Sequence, residues 1–177
     1  GGAVLDPGVR AGEPPAAGVA HGVSILPIRV AGDANRIYSS DLIGGIRFAA
    51  DAGADILNLS LGGYTYSVAE YDAVQYALEK GCILIAAAGN DGETAAGQQE
   101  MYPASYQGVI SVGSCDENGE RSSFSQNNDA VDLLAPGEDL LLLSIGDEAY
   151  DTDDGTSYSA ALVSGLAALA PSALGPS

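Results

Sequence analysis

Residues 82–88 read Cys-Ile-Leu-Ile-Ala-Ala-Ala, an unbroken apolar run set between Lys80-Gly81 and Gly89-Asn90. Seven residues bounded by glycines suit a strand better than a helix. With no polar residue on either side of its pleat, the strand must be covered on both faces, as in a parallel sheet between helices. The preceding segments supply that arrangement. Asp55 to Leu61 (DILNLSL) reads as a second strand, and Ser67 to Lys80 as a helix between the two. Ser67-Val68-Ala69-Glu70 forms a capping box, Tyr71, Val74 and Leu78 share one face, and Gly81 is the stop. Strand–helix–strand in this order closes as a right-handed βαβ unit.

The rest of the chain extends the pattern. Val23 to Val30 (VSILPIRV) reads as a strand, with Pro27 marking an edge or bulge. Ser39-Ser40-Asp41 caps a helix carrying Leu42, Ile43, Ile46, Phe48 and Ala49 as far as Gly53. Val109 to Gly113 and Ala130 to Leu134 are further short strands, and a last helix runs from about Ser157 to Ala170. The expected fold is α/β: a doubly wound, mainly parallel sheet with helices on both faces. With no internal repeat and no interior linker, residues 1–177 read as one domain, the first 20 being a Gly-, Ala- and Pro-rich loop or a cut end.

Composition excludes several functions. Twenty-four acids against six lysines and arginines give a net charge of −18, which is unsuited to gripping a nucleic-acid backbone. No apolar run approaches the ~18–20 residues that span a bilayer. Cys82 and Cys115 are too few for a disulfide framework or a zinc site, and both adjoin apolar runs, so they read as buried thiols. Half of the acids lie between Asp116 and Asp154 with Arg121 as the only base, which reads as a solvated surface before it reads as a cation site.

Ligands of doubly wound sheets bind at the carboxyl ends of the strands. Three segments there are small or polar: Leu59-Ser60-Leu61-Gly62-Gly63, Ala87-Ala88-Gly89-Asn90-Asp91-Gly92 and Asp154-Gly155-Thr156-Ser157-Tyr158-Ser159. None is a dinucleotide fingerprint, and none carries a P-loop lysine. Ser157 opens a helix made largely of small residues, where its own N–H can serve as an oxyanion donor; read alone, it is equally a helix cap. Asn90 ends the buried strand, where its amide can be a second donor; read alone, it is a turn residue.

Taken together and in this order, these motifs resemble the subtilisin-like serine proteases (subtilases). The resemblance runs from Gly18 to about Ala170. Its carriers are Gly18-Val19-Ala20 through Val30, Asp55 to Gly63 (DILNLSLGG), Ile85 to Asn90 (IAAAGN), Tyr102-Pro103-Ala104, Val109 to Gly113, Ser123-Phe124-Ser125, Leu134-Ala135-Pro136-Gly137 and Gly155-Thr156-Ser157. It implies that Ser157 is the acylating nucleophile and Asn90 the side-chain oxyanion donor. Ser60, Leu61 and Gly62 would line the wall that pairs with the substrate backbone. Ala87, Ala88 and Gly89 would form the opposite side of an open, apolar primary pocket, which implies broad specificity.

The departures bear on activity. The family's aspartate (D-[ST]-G) and histidine (H-G-T-H-V-A-G) motifs precede the Gly18 segment, and neither is present. The single histidine, His21, falls where the family has a loop proline and is set aside as a base; Ala161 replaces a proline, and Asp154 replaces an asparagine common in the family. Without a base, serine is a weak nucleophile. The expected function is therefore a serine endopeptidase acting on peptides or proteins through an acyl-enzyme on Ser157. These residues alone would be inactive, with the aspartate and histidine on a missing N-terminal segment or chain. The alternative is a non-catalytic pseudoprotease or peptide-binding module. No cofactor is required and no metal ligands are assigned. Calcium, which the family often carries, has candidate ligands in Asp129, Asp132, Glu138 and Asp139, against the simpler reading as solvated surface. The resemblance favours a secreted or extracellular protein.

Overall fold

The computed structural model describes residues 18–32, 36–143 and 150–174, with side chains as far as residue 170. The elements are α1 (Ser39–Asp51), β1 (Ile56–Leu59), α2 (Val68–Glu79), β2 (Ile83–Ala87), β3 (Val109–Cys115), β4 (Leu133–Pro136), β5 (Leu140–Leu143), β6 (Tyr150–Asp153) and α3 (Thr156–Leu174). Strands β1 to β4 form a parallel sheet in chain order, with Ile56 beside Ile83, Leu84 beside Val109 and Val112 beside Leu133. β5 and β6 form a separate antiparallel pair.

β2 shows why its run had to be apolar throughout. Leu84 and Ala86 join Leu57 and Leu59 under α1 and α2, against Leu42, Ile46, Ala73, Val74 and Ala77. Ile85 and Ala87 point the other way and meet Val112, Ala135 and Ala160 of α3. The alternation of the pleat thus feeds two cores, one per face. Burying Leu84 and Ile85 completely stabilises the fold by about 2–3 kcal/mol each. Small residues let α3 come close: a Cβ on Gly165 would stand 2.8 Å from Val19 Cβ, too near for both to stay. The doubly wound sheet with helices on both faces is the architecture observed.

Local signals were met to different degrees. Ser67 caps α2 by accepting from Glu70 N at 3.3 Å. The other half of the capping box does not form, because Ser67 N donates to the Tyr106 hydroxyl at 3.1 Å. Glu70 is buried instead, and that burial pushes its carboxyl above the usual range. Gly81, at φ 90°, and Gly53, at φ 79°, end α2 and α1 in the left-handed conformation expected of such stops. The N-cap of α1 is Tyr38, with no side-chain cap, so neither serine does the capping.

Two strand expectations are corrected. Val23–Val30 is not a strand: its backbone joins no sheet, and only Ala31 beyond it makes an isolated bridge, to Ile37. The fourth strand is Leu133–Pro136 rather than 130–134, its parallel ladder with β3 opening with the bond from Asp132 N to Ser111 O at 3.0 Å. The β5–β6 pair, inside the acidic stretch, was not foreseen. Cys82 and Cys115 are buried and unpaired, as expected, and burial raises both thiol pKa values. Residues 1–17 of the expected terminal loop lie outside the described residues. No helix among the described residues is long and apolar enough to cross a membrane.

Candidate active site

The parallel ladder continues one residue past β2, where Ala88 N donates to Val112 O at 2.9 Å. Gly89 then turns the chain at φ 114°, and a side chain there would run into Met101 Sδ and Gln126 Cγ. Only glycine meets both demands. Buried Gln126 brackets the next residue from both sides. Its N–H donates to Gly89 O at 3.0 Å, its Oε1 accepts from Asp91 N at 3.1 Å, and its Nε2 donates to Ala96 O and Gln99 O. Asn90 therefore stands on a backbone pinned before and after it.

The start of α3 fixes the Asn90 side chain. Thr156 N donates to Asn90 Oδ1 at 3.0 Å, and Thr156 Oγ1 donates to the same oxygen at 2.8 Å. A backbone N–H can only donate, so the atom facing it must be the oxygen, and Nδ2 is turned outward. Thr156 Oγ1 also accepts from Gly89 N at 3.2 Å. One buried hydroxyl thus joins the turn, the amide and the helix. The Tyr158 N–H goes to Gly155 O at 3.1 Å. That leaves the N–H of Ser157, between Thr156 and Tyr158, with no partner among the described residues. Asn90 Nδ2 and the Ser157 N–H are thus two donors on adjoining residues of the site, and the half-buried Ser157 stands in the first turn of α3, at the positive end of its dipole.

The opposite wall is tied to the same helix. Ser60 Oγ donates to Ser157 O at 2.8 Å, Asn58 Nδ2 donates to Ser60 Oγ at 3.0 Å, and Ser164 Oγ donates to Asn58 Oδ1 at 3.0 Å. Ser159 Oγ reaches Ala135 O at 3.0 Å, anchoring the first turn of α3 to β4. The structure thus brings Ser60 to Ser157, and Asn90 to the residue before Ser157. Gly62 and Gly89 lie on either side of Met101. Ala87 and Ala88 are buried, Ala87 against α3, while Leu61 is half-buried beside the α1/α2 core.

Three residues were missed from sequence. Thr156 stands inside the Gly-Thr-Ser motif, but a threonine at a helix start carries no mark that its hydroxyl will point at another strand's asparagine. Met101 and Tyr64 carried no signal at all. Tyr64 donates to the Asp91 carboxylate, and burial together with that bond pushes its pKa up to about 12. Tyr158 donates to Asp153 in the same way, and that bond leads its rise to about 12.

His21 is exposed, in the turn that follows Val19. Val19 packs on Gly165, two turns or about 12 Å down the helix from Ser157. Part of the acidic stretch is engaged by backbone N–H groups: Asp132 accepts from Ser111 N at 2.8 Å, and Asp116 accepts from Asn118 N and Glu120 N. Among the described residues no group of three or more His, Cys, Asp or Glu is placed to hold a metal ion.

The arrangement matches known proteins. The sequence profile of the subtilase family (peptidase S8) matches residues 3–175, and the chain belongs to that family. It is 39% identical over 153 residues to thermitase of Thermoactinomyces vulgaris, covering 86% of this chain and 53% of that protein. It is 41% identical over 150 residues to a halolysin-like extracellular serine protease of Natrialba magadii, covering 85% of this chain and 27% of that protein. Among solved structures, a cold-adapted subtilisin-like serine proteinase superposes with a TM-score of 0.78 at 35% identity, over 88% of this chain and 56% of that one. The chain spans about half the length of thermitase or less of its other relative.

Proposed function

We propose that the chain is the nucleophile-bearing part of a serine endopeptidase. Ser157 Oγ attacks the carbonyl carbon of a peptide and gives up its proton to a base. The oxyanion rests on Asn90 Nδ2 and the Ser157 N–H. The C–N bond then breaks, and the amine leaves with a proton returned by the same base. Water repeats the sequence to free Ser157. The observation that supports this reading is the double hydrogen bond from Thr156 to Asn90 Oδ1, which engages the oxygen of the amide at the residue before Ser157 and leaves Nδ2 free to donate.

The base belongs to a segment carrying the family's aspartate and histidine. The outer edge of β1 in the sheet, and the exposed Val23, Ile25 and Leu26, support the docking of such a segment. Residues 1–177 alone should turn over peptides little or not at all. Mixing them with the aspartate- and histidine-bearing segment should restore hydrolysis, and a fluorophosphonate probe should then label Ser157. Strong hydrolysis by residues 1–177 alone, abolished by His21→Ala, would overturn the division of labour. A peptide-binding module is the second reading, favoured by the exposure of His21 away from Ser157. It predicts peptide binding with no labelling of Ser157 even when both segments are present. Secretion is part of the proposal, supported by the extracellular description of the halolysin-like relative; secretion assays on the source cells test it.

A further inference from the structure

Met101 touches both of the segments that the family resemblance makes the walls of the primary pocket. Its Cε is 2.9 Å from the point a Cβ on Gly62 would occupy, and its Sδ occupies the place of a Cβ on Gly89. The thioether therefore rests on one glycine from each wall. Its backbone is fixed by a two-way bridge: Tyr102 N donates to Gly63 O at 2.8 Å, and Gly63 N donates to Tyr102 O at 2.9 Å. The Tyr102 ring is held in turn against Tyr106, with centroids 4.7 Å apart, and against Tyr66 at 5.3 Å.

A second contact spans the same gap. Tyr64 comes one residue after Gly63 and Asp91 one residue after Asn90, and the Tyr64 hydroxyl donates to the Asp91 carboxylate. The phenol thus ties the segment after Gly63 to the segment after Asn90.

We infer that Met101 determines specificity: it floors the primary pocket, and with the Tyr64–Asp91 strap it leaves room only for glycine, alanine or serine on the acyl side of the scissile bond. This rests on the endopeptidase reading and replaces the open pocket expected from sequence. The packing argument is direct. Protein interiors have few voids, so a leucine or phenylalanine ring entering between Gly62 and Gly89 must displace the thioether. Methionine can swing aside, but only by giving up its contacts with both walls. Discrimination of one methylene in an apolar pocket is worth about 10–200-fold, and a phenyl ring exceeds that size difference many times over. A lysine side chain is at least as long as the leucine and phenylalanine it is compared with and meets the same thioether.

The test uses the protein with its aspartate- and histidine-bearing segment. Peptide p-nitroanilides Ala-Ala-Pro-X are compared, with X as Ala, Leu, Phe or Lys. The wild type should favour Ala over Phe by at least about tenfold in kcat/KM. Met101→Gly should reverse that ratio, and Met101→Leu should keep it. Each ratio is measured within one protein, so a variant that folds less completely still reports it. A wild type that cleaves Phe as well as Ala, or a Met101→Gly variant with an unchanged ratio, overturns the inference and leaves the endopeptidase reading standing. If no peptide is cleaved, the acids Ala-Ala-Pro-Ala and Ala-Ala-Pro-Phe are titrated calorimetrically. Binding with the same preference and reversal supports the pocket and overturns the peptidase reading. Neither cleavage nor binding overturns both.

Discussion

Ile83–Ala87 and Val23–Val30 are both short aliphatic runs, yet the first is buried from Leu84 to Ala87 while the second leaves Ile25 84% exposed and Leu26 49% exposed. Composition does not separate them. What does is the presence of neighbours. β2 has a parallel ladder on each side and a helix layer above and below. Val23–Val30 sends Ile28 and Val30 onto the α1/α2 core, but its backbone has no strand to pair with, and Pro27 offers no N–H. β-propensity records how well a side chain suits a pleated, half-covered surface, so it cannot make a strand without the rest of the sheet.

The sharpest way to test this contrast is at the end of the well-held region. In the protein supplied with its proposed aspartate- and histidine-bearing segment, Asn90→Leu should lower kcat about 10²–10³-fold with little change in KM if, as proposed, the amide acts on the oxyanion alone. A change confined to KM would break the assignment. Next comes packing: Ile85→Ala should cost about 2–5 kcal/mol in urea unfolding, because the site lies between a full ladder and α3. Thr156→Val keeps the shape and removes the hydroxyl that Gly89 N and Asn90 Oδ1 share. It should cost about 1–3 kcal/mol of stability and lower kcat more than KM. Thr156→Ser should restore both.

A smaller effect is expected at Glu70. Its folded pKa lies above the unfolded value, so the folded chain binds more protons in the interval between them, and stability falls as pH rises through that interval. Glu70→Gln should flatten this decline and raise the melting temperature at neutral pH relative to the parent. An unchanged pH profile would show that the buried carboxyl is solvated after all. Smallest is Ile25→Ser, expected to shift the stability of residues 1–177 by less than about 0.5 kcal/mol. The same substitution should weaken assembly with the aspartate- and histidine-bearing segment if that segment covers Ile25.

What the sequence made legible follows the same division. Burial of Leu84–Ala88, the stops at Gly53 and Gly81, and Ser157 at a helix start are set within a few residues of chain, and each could be read from local pattern; Ile83, at the open start of β2, is exposed against that pattern. That Asn90 meets the Gly155-Thr156-Ser157 segment was readable only because a family pattern joined stretches 66 residues apart. The strand at 23–30 was misread because its fate depends on chain that is not beside it. Thr156, Met101 and Tyr64 escaped notice because their partners, Asn90, Gly62, Gly89 and Asp91, are brought to them by the fold. Nothing in a lone methionine announces that two glycines will make room for it.

α3 packs against β1, β2, β3 and β4, although each of those strands pairs with the next in sequence. The four strands can therefore zip up in the order of synthesis, while the face that receives α3 stays bare until the chain beyond residue 155 has emerged. At roughly 5–20 residues per second, the 20 residues from Pro136 to Thr156 take about 1–4 s to make. During that interval Asn90 sits at the end of its strand with neither of the Thr156 donors that orient it. Ser157 arrives with the helix that completes the core, so the proposed nucleophile and the strand end that carries Asn90 meet only in the closing step of folding.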